Sequence, residues 1–216
     1  MKKWLMIAGL AAAISVPALA ADNNTWQIDP NHSTAQFVVR HLLISNVQGD
    51  FTKVSGTVVL DDKDISKSSV NASIDISSVD TRVTMRDNDL KSPNYFDVAQ
   101  YPTMTFQSTK IWKTGDGTAK MTGNLTLHGV TKEVTFDVTG PTDSIKAMRT
   151  IRRGAEATTK INRSDFGMTH GADVVGDSVS VTLDIEMAQP DPNAPPPPAR
   201  NQTPPPAGAP AAPTGR

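Results

Sequence analysis

Apolar and polar residues alternate through most of this chain. In the segment STAQFVVRH, Ala35, Phe37 and Val39 share one side of the chain. The segment DSVSVTLDIEM repeats the pattern, with Val179 and Val181 among its alternating apolar positions. Because successive side chains of a strand point to opposite faces, this period of two, rich in Thr, Val and Ile, predicts antiparallel β-strands.

Turn residues divide the alternating segments into about eight strands. Gly129 separates the apolar runs of MTGNLTLHG and KEVTFDVTG at hairpin spacing, and residues 115–117, Gly-Asp-Gly, form another turn. The strands VNASIDI and TMTFQSTKIW come earlier in the chain. The residues therefore predict an all-β fold. They leave open a sandwich or a closed barrel, since both bury alternate positions.

One segment, TMRDNDLKSPNYFD, breaks the alternation and predicts a short helix near Thr84–Lys91. Thr84 is the expected N-cap, and Asp87 supplies a negative charge in the first turn. Pro93 is expected to stop the helix, because the residue before a proline disfavours helical geometry.

The apolar residues of this helix indicate which side faces the sheet. Leu90 is expected to face it together with Val83 or Met85. The helix then either plugs one end of the core or forms a lid over a cavity, and the sequence does not choose between the two.

The amino terminus has the layout of a bacterial secretory signal peptide. Lys2 and Lys3 precede the apolar stretch Trp4–Ile14, and small residues lead to Ala20. Residues 1–20 are therefore expected to be a signal peptide that is cleaved after Ala20, with export to the periplasm. The apolar run is too short for a membrane span, and no transmembrane segment is expected after cleavage.

The rest of the chain divides into a domain and a tail. Residues 189–216 are rich in Pro and Ala and almost free of large apolar side chains, which predicts an extended, disordered tail. Residues 21–188 remain as one domain, long enough to bury a sizeable core. The tail is either a simple overhang or a spacer.

Composition excludes several classes of function. Without Lys2 and Lys3 the 21 basic residues become 19, against 22 acidic residues, for a net charge of −3. A strongly basic face for nucleic acid is therefore not expected. The chain has no Cys, which rules out disulfides, thiol catalysis and cysteine metal sites.

No catalytic or metal-binding motif is recognisable. His32, His41, His128 and His170 do not fall in a metal-ligand spacing, and no nucleophile elbow or nucleotide-binding loop is present. His41 shares the parity of the apolar side of its strand, where a hydrogen-bonded structural role is expected. No catalytic residue, metal or cofactor is predicted, and the chain is expected not to be an enzyme.

Two pairs of charged residues adjoin apolar segments. They are Arg86 with Asp87, and Arg163 with Asp165. A structural, salt-bridged role is the favoured interpretation. The alternative is that an arginine binds a polar or anionic ligand head group.

Several of these segments together resemble the YceI-like family. The matching motifs, in chain order, are HSTAQFVVRH, GDFTKVSGTVVLDD, SIDISSVDT, RDNDLKSPNYFDVAQYPTMTFQSTKI, GNLTLHGVTKEVTFDV and INRSDFGM. The resemblance covers nearly all of residues 26–187. It implies an extended, eight-stranded, antiparallel, lipocalin-like β-barrel.

The resemblance also implies a ligand. Family members hold a polyisoprenoid chain, such as a polyprenyl quinone or a polyprenyl phosphate, in a long internal pocket, and some of them are homodimers. Parity and motif position then select the expected lining residues. They are Phe37, Val39, Phe51, Val58, Leu60, Ile74, Ile76, Leu90, Phe96, Met104, Phe106, Leu125, Leu127, Phe136, Phe166 and Met168. Arg86, Asp87, Arg163 and Asp165 are a second set of candidates, for orienting a head group or pinning the helix.

The chain departs from the family pattern in two places. Asp89 stands where relatives usually carry His, and Ala155 stands where they usually carry Phe. The loop before Ala155 also clusters basic residues, which are Lys146, Arg149, Arg152 and Arg153. The length of the pocket or the polarity of its mouth is therefore expected to differ from that of relatives.

Three functions remain open at this point. The leading hypothesis is a periplasmic binding or carrier protein for a long-chain isoprenoid lipid. A second is an enzyme that acts on such a lipid through Arg86, Asp87 or His41. A third is an interaction module in which side chains fill the barrel and the Pro-rich tail recruits a partner, because inward apolar residues can pack a core or line a tunnel equally well.

Overall fold

Twelve strands and one α-helix make up residues 24–195, the part of the chain that the computed structural model describes. The predicted signal peptide and most of the predicted tail lie outside these residues. The strands are β1 (Thr25–Ile28), β2 (Thr34–His41), β3 (Ser45–Phe51), β4 (Val54–Val59), β5 (Ser69–Asp75), β6 (Val79–Asp80), β7 (Thr103–Gly115), β8 (Thr118–Leu127), β9 (Val130–Thr139), β10 (Ile145–Ala147), β11 (Thr150–Asn162) and β12 (Val175–Pro190). The helix α1 spans Thr84–Lys91, and short 3₁₀ helices span Ile65–Lys67, Ile76–Ser78 and Arg163–Phe166.

Eight of the strands close into an antiparallel barrel. Their order is β11-β9-β8-β7-β5-β4-β1-β12, and β12 returns to pair with β11. Outside the barrel, β10 pairs with β11. On the other side of the sheet, β2 pairs with β12, β3 with β2 and β6 with β3. The prediction of an all-β, eight-stranded barrel with one short helix is confirmed. Closure removes the exposed sheet edges that an open sheet would have to protect.

The pairing of β11 with β12 is the longest in the barrel. It runs without interruption from Thr150 opposite Pro190 to Asn162 opposite Ser178. Gln189 and Pro190, which the sequence assigned to the tail, therefore belong to a strand, because Ile151 and Thr150 pair with them. Alternating side chains of both strands point into the barrel.

The helix has the predicted bounds, but its expected cap is wrong. Val83 occupies the N-cap position and makes no side-chain capping bond. The Asp87 carboxylate instead accepts hydrogen bonds from the backbone N–H (2.8 Å) and hydroxyl (2.6 Å) of Thr81. This contact ties the first turn of the helix to the chain that leads into it. Within residues 24–195, no helix is both long and apolar enough to cross a membrane.

The expected inner face of the helix is only partly right. Leu90 packs against the core, whereas Val83 and Met85 are 44% and 81% exposed. The chain turns back immediately after the helix, where Phe96 N–H donates to Leu90 O (2.9 Å), and this turn directs the C-terminal end inward. The N-terminal end is held at the surface by Asp87.

A partly buried cluster of charges holds the junction between β1 and β2. The guanidinium of Arg152 on β11 bridges the carboxylates of Asp29 and Glu186, contacting Asp29 at 2.7 Å. Ser33, directly before β2, donates to Glu186 O and accepts from Glu186 N–H. The chain can therefore bend between β1 and β2 while both strands stay paired with β12.

The same cluster lowers the pKa of Asp29 to about 2. The largest cause is the hydrogen bond from the backbone N–H of Asn31, followed by those from His32 and Arg152. Each stabilises the ionised carboxylate in the folded protein only. Because the pKa is lower in the folded state than its usual 3.8, Asp29 stabilises the fold above about pH 4. This stabilisation is lost as the pH falls through about 2.

We expect the substitution Asp29→Asn to flatten the acid limb of the stability curve. In the unaltered protein, the free energy of unfolding should fall between pH 4 and pH 2 as Asp29 takes up a proton. In the variant this fall should be smaller, while stability at neutral pH should be lower. Urea unfolding at a series of pH values measures both. Identical slopes in the two proteins would contradict the role given to Asp29.

A candidate binding cavity inside the barrel

The barrel encloses a cavity of about 260 Å³ with an almost wholly apolar lining. Close-packed protein interiors contain few voids larger than one water molecule, whose share of liquid volume is about 30 Å³. A space of this size is therefore not a packing defect. Of the two arrangements left open by the sequence, a filled core and a lined tunnel, the structure has the hollow one.

The cavity lining follows from the alternation of the strands. Of the lining residues predicted from the sequence, all but two line the cavity. Ile76 and Phe166 are 0% and 1% exposed and pack in the wall behind it, because each lies in a 3₁₀ helix rather than in a strand. The residues that line it are Phe37, Val39, Phe51, Val58, Leu60, Ile74, Leu90, Phe96, Met104, Phe106, Leu125, Leu127, Phe136 and Met168.

Sequence reasoning missed much of one wall. The largest group of missed residues occupies inward positions of β8, β11 and β12, and others lie on β1, β2, β4, β5, β7 and β9. For β12 the alternation of the sequence was a sufficient signal. The missed residues of the largest group include Ala119, Met121, Ala155, Ala157, Ile161, Val179, Val181, Leu183, Ile185 and Met187. Small residues on β11 face larger ones on β12, and Ala155 and Ala157 pair with Ile185 and Leu183. This arrangement leaves room in the interior.

Three aromatic rings connect the barrel wall to the segment after the helix. The ring of Phe51 lies 5.7 Å from that of Phe37 and 5.6 Å from that of Phe96, measured between centroids. Gly49 makes this possible, because a Cβ atom there would lie 2.4 Å from Cζ of Phe37. The Phe37 ring thus packs across the backbone of β3. The helix segment becomes part of the cavity wall through these contacts.

Tyr95 is a polar lining residue that the sequence did not single out. Burial raises the pKa of its phenol, with a smaller contribution in the same direction from the nearby charge of Asp89. The phenol is therefore a neutral donor at physiological pH. Asp89 is itself exposed. Besides its charge near Tyr95, the Asp89 carboxylate accepts a hydrogen bond from the side-chain amide of Asn94 (3.4 Å).

Arg163 lies at the same end of the cavity, buried to 6% exposure. Its guanidinium donates to four backbone carbonyls: Nη1 to Met168 O and His170 O (both 2.7 Å), Nη2 to Val175 O (3.0 Å) and Nε to Gly176 O (3.1 Å). Its partners are therefore carbonyl groups and not the carboxylates expected from the sequence. Arg163 clamps the loop between the last 3₁₀ helix and β12.

The other charged candidates do not reach the cavity. Arg86 donates through Nε and Nη2 to the hydroxyl and carbonyl oxygens of Thr81, both at 2.8 Å. Asp87 binds the same residue, so the pair fastens the helix to the preceding chain. Asp165 is exposed. Among the charged candidates for a head group, only Arg163 lines the cavity.

Two histidines make contacts that the sequence did not predict. His128 lies in the turn between β8 and β9 with a left-handed backbone, and its Nδ1 lies 3.1 Å from Phe166 O. His32 comes together with Asp29 and Glu186, whose ligand atoms all lie within 4.8 Å of one another. Arg152 already neutralises both carboxylates of this group. The cluster is accounted for as the charged junction of β1 and β2.

The chain belongs to the family of YceI-like domains. The family model matches residues 26–187, which include almost the whole barrel. A curated relative, a UPF0312 protein of Vibrio parahaemolyticus, is 34% identical over 189 residues. That match covers 87% of this chain and 97% of the relative.

Solved structures share the barrel. BcnA of Burkholderia cenocepacia superposes with a TM-score of 0.65 at 26% identity, covering 74% of this chain and 98% of BcnA. A polyisoprenoid-binding domain from Saccharophagus degradans, described as implicated in plant cell wall breakdown, has a TM-score of 0.57 at 16% identity. The match covers 76% of this chain and 98% of that domain. Because the sequence identity is low, this match shows a shared fold and nothing further.

We expect the substitution Arg163→Met to destabilise the protein strongly. It would leave the carbonyl groups of the clamped loop buried without donors, which should cost about 3 kcal/mol of unfolding free energy or more. Urea denaturation measures the loss. Arg149→Met, at an exposed arginine, serves as the control and should change stability little. Equal stability of the two variants would contradict the clamp.

Proposed function

We propose that the protein is a periplasmic carrier that holds one long-chain isoprenoid lipid inside its barrel. The observation that carries the proposal is the apolar cavity of about 260 Å³ in the interior of the barrel. A flexible hydrocarbon chain needs an apolar tube and few polar contacts, and this interior offers that chemistry. Membership of the YceI-like family supports the choice of ligand.

Hydrophobic burial alone supplies enough free energy for binding. Removing roughly 500 Å² of hydrocarbon from water at about 25 cal/mol per Å² is worth on the order of 12 kcal/mol before costs. Association and ordering of the chain reduce this figure substantially. Useful affinity can therefore arise without any specific polar contact. Such a ligand would be a quinone, an alcohol or a phosphate with a polyprenyl chain.

Export and the absence of catalysis belong to the same proposal. The amino-terminal segment has signal-peptide character, and a periplasmic protein could take up a lipid at one membrane and release it at another. The lipid would be shielded from water on the way, without chemical change. The barrel fold of the polyisoprenoid-binding domain from Saccharophagus degradans supports the view that such a fold accommodates this class of chain.

The direct test is to identify what the protein carries. The protein, purified from a periplasmic extract of its native host, should yield a polyprenyl lipid by solvent extraction and mass spectrometry. Its amino terminus should begin after Ala20. Recovery of protein without lipid from several preparations, or of a lipid that the protein converts to product, would contradict the proposal.

We also expect a bulky side chain inside the barrel to displace the lipid. Ile161 lines the cavity on β11, whereas the neighbouring Lys160 is exposed. The substitution Ile161→Trp should weaken lipid binding by about tenfold or more, because overpacking costs about 1–3 kcal/mol. Lys160→Trp is the matched control and should bind normally. Binding of a fluorescent polyprenyl probe measures both, and equal affinities would place the lipid elsewhere.

A further inference from the structure

One arginine lies towards each end of the cavity, the first on the inward face of β11 and the second directly after this strand. Arg153 lies near the start of β11, and Arg163 follows its last residue. Ten residues of strand separate them by roughly 33 Å. Each nitrogen of the Arg163 guanidinium donates to at least one backbone carbonyl. The guanidinium of Arg153, by contrast, has donor groups without hydrogen-bond partners among the described residues.

Arg153 lies in an apolar layer that closes the second end of the cavity. Its guanidinium carbon is 5.3 Å from the centre of the Trp26 ring, which is itself buried. Trp26 packs against Leu60 and Met187, and both of these line the cavity. Met187 is also the strand partner of Arg153, and Ala155, the next inward residue of β11, lines the cavity with a small side chain. The arginine thus lies directly beside the hollow interior.

One edge of this guanidinium is unused. Nη1 donates to the carboxylate of Asp62, which is 65% exposed, whereas the Arg153 side chain is 16% exposed. Within residues 24–195, Nε is buried and has no hydrogen-bond partner, and Nη2 makes no hydrogen bond. The Nε and Nη2 atoms present two parallel N–H groups, the geometry that binds a carboxylate or phosphate in a bidentate manner.

The other basic residues of this region either form ion pairs or are exposed to solvent. Arg152 is paired with Asp29 and Glu186, and Lys146 lies 3.3 Å from Asp191. Arg149 is exposed at the surface. Arg153 therefore combines burial, contact with the cavity lining and a free donor edge. A buried polar group without a partner is rare in folded proteins and calls for an acceptor.

We propose that Arg153 binds the anionic head group, a phosphate or carboxylate, of the amphiphile whose chain fills the cavity. This inference rests on the function proposed above and adds the end at which the head lies and the charge that it carries. Asp62 is the competing anion that neutralises Arg153 while no head group is bound. The Trp26 ring holds the guanidinium in place through a cation–π contact.

The test compares two probes that share one chain, geranylgeranyl monophosphate and geranylgeraniol. Each is titrated into the full, delipidated chain, and binding is followed by tryptophan fluorescence, to which Trp26 beside the site contributes. The unaltered protein should bind the phosphate about tenfold more tightly than the alcohol or better, because a charge-assisted hydrogen bond favours the anion. Arg153→Met should abolish this preference and leave the affinity for the alcohol unchanged. Arg149→Met, which removes an exposed charge nearby, should retain it.

A second variant changes affinity in the opposite direction. Asp62→Asn removes the competing carboxylate at an exposed position and should tighten binding of the phosphate severalfold, with no change for the alcohol. It keeps the test decisive if Arg153→Met fails to fold, which circular dichroism would reveal. Equal affinity of the unaltered protein for the two probes overturns the head-group site and leaves the carrier function standing. Weaker binding of the phosphate by the Asp62→Asn variant would also overturn the head-group site and leave the carrier function standing. If the unaltered protein binds neither probe, both the head-group site and the carrier function are overturned.

Discussion

The pairing of β11 with β12 is the constraint on which the rest of the structure depends. This uninterrupted ladder joins the last part of the domain to the strands before it and closes the barrel. Both strands place a side chain inward at every second position, so they line the cavity along its length. The same strands supply Arg152 and Glu186 to the junction of β1 with β2 and Arg153 to one end of the interior, and Arg163 follows β11 directly at the other end. Closure, cavity and charge placement are consequences of one register.

The barrel separates its charges from its hollow interior. Apolar side chains line the middle of the cavity, and the guanidinium groups lie at the ends. At one end the guanidinium of Arg163 donates to backbone carbonyls and holds a loop, which is a structural task. At the other end Arg153 keeps a donor edge free beside Trp26. An amphiphile is the kind of ligand that matches such an interior, because its chain needs an apolar tube and its head needs a single polar contact.

The helix segment is best understood as part of the cavity wall. Leu90 and Phe96 reach the cavity, while Arg86 and Asp87 fasten the first turn to Thr81. The charged pair that looked like a head-group site in the sequence therefore holds the wall in position. Conversely, Arg153 stood in a cluster of basic residues that gave no sign of which member faced inward. Its neighbour Arg152 lies on the opposite face and pairs with two carboxylates.

The sequence by itself determined the strand periodicity, the bounds of the helix and most of the cavity lining, because a period of two assigns each residue of a strand to a face. That rule failed for Ile76 and Phe166, where the backbone leaves the strand and turns through a 3₁₀ helix. Only the tertiary structure decided that the interior is hollow, since a packed core and a tunnel require the same apolar positions. It also decided the partners of each arginine. Hydrogen bonds between distant segments depend on strand register and barrel closure, and periodicity along one chain contains no information about them.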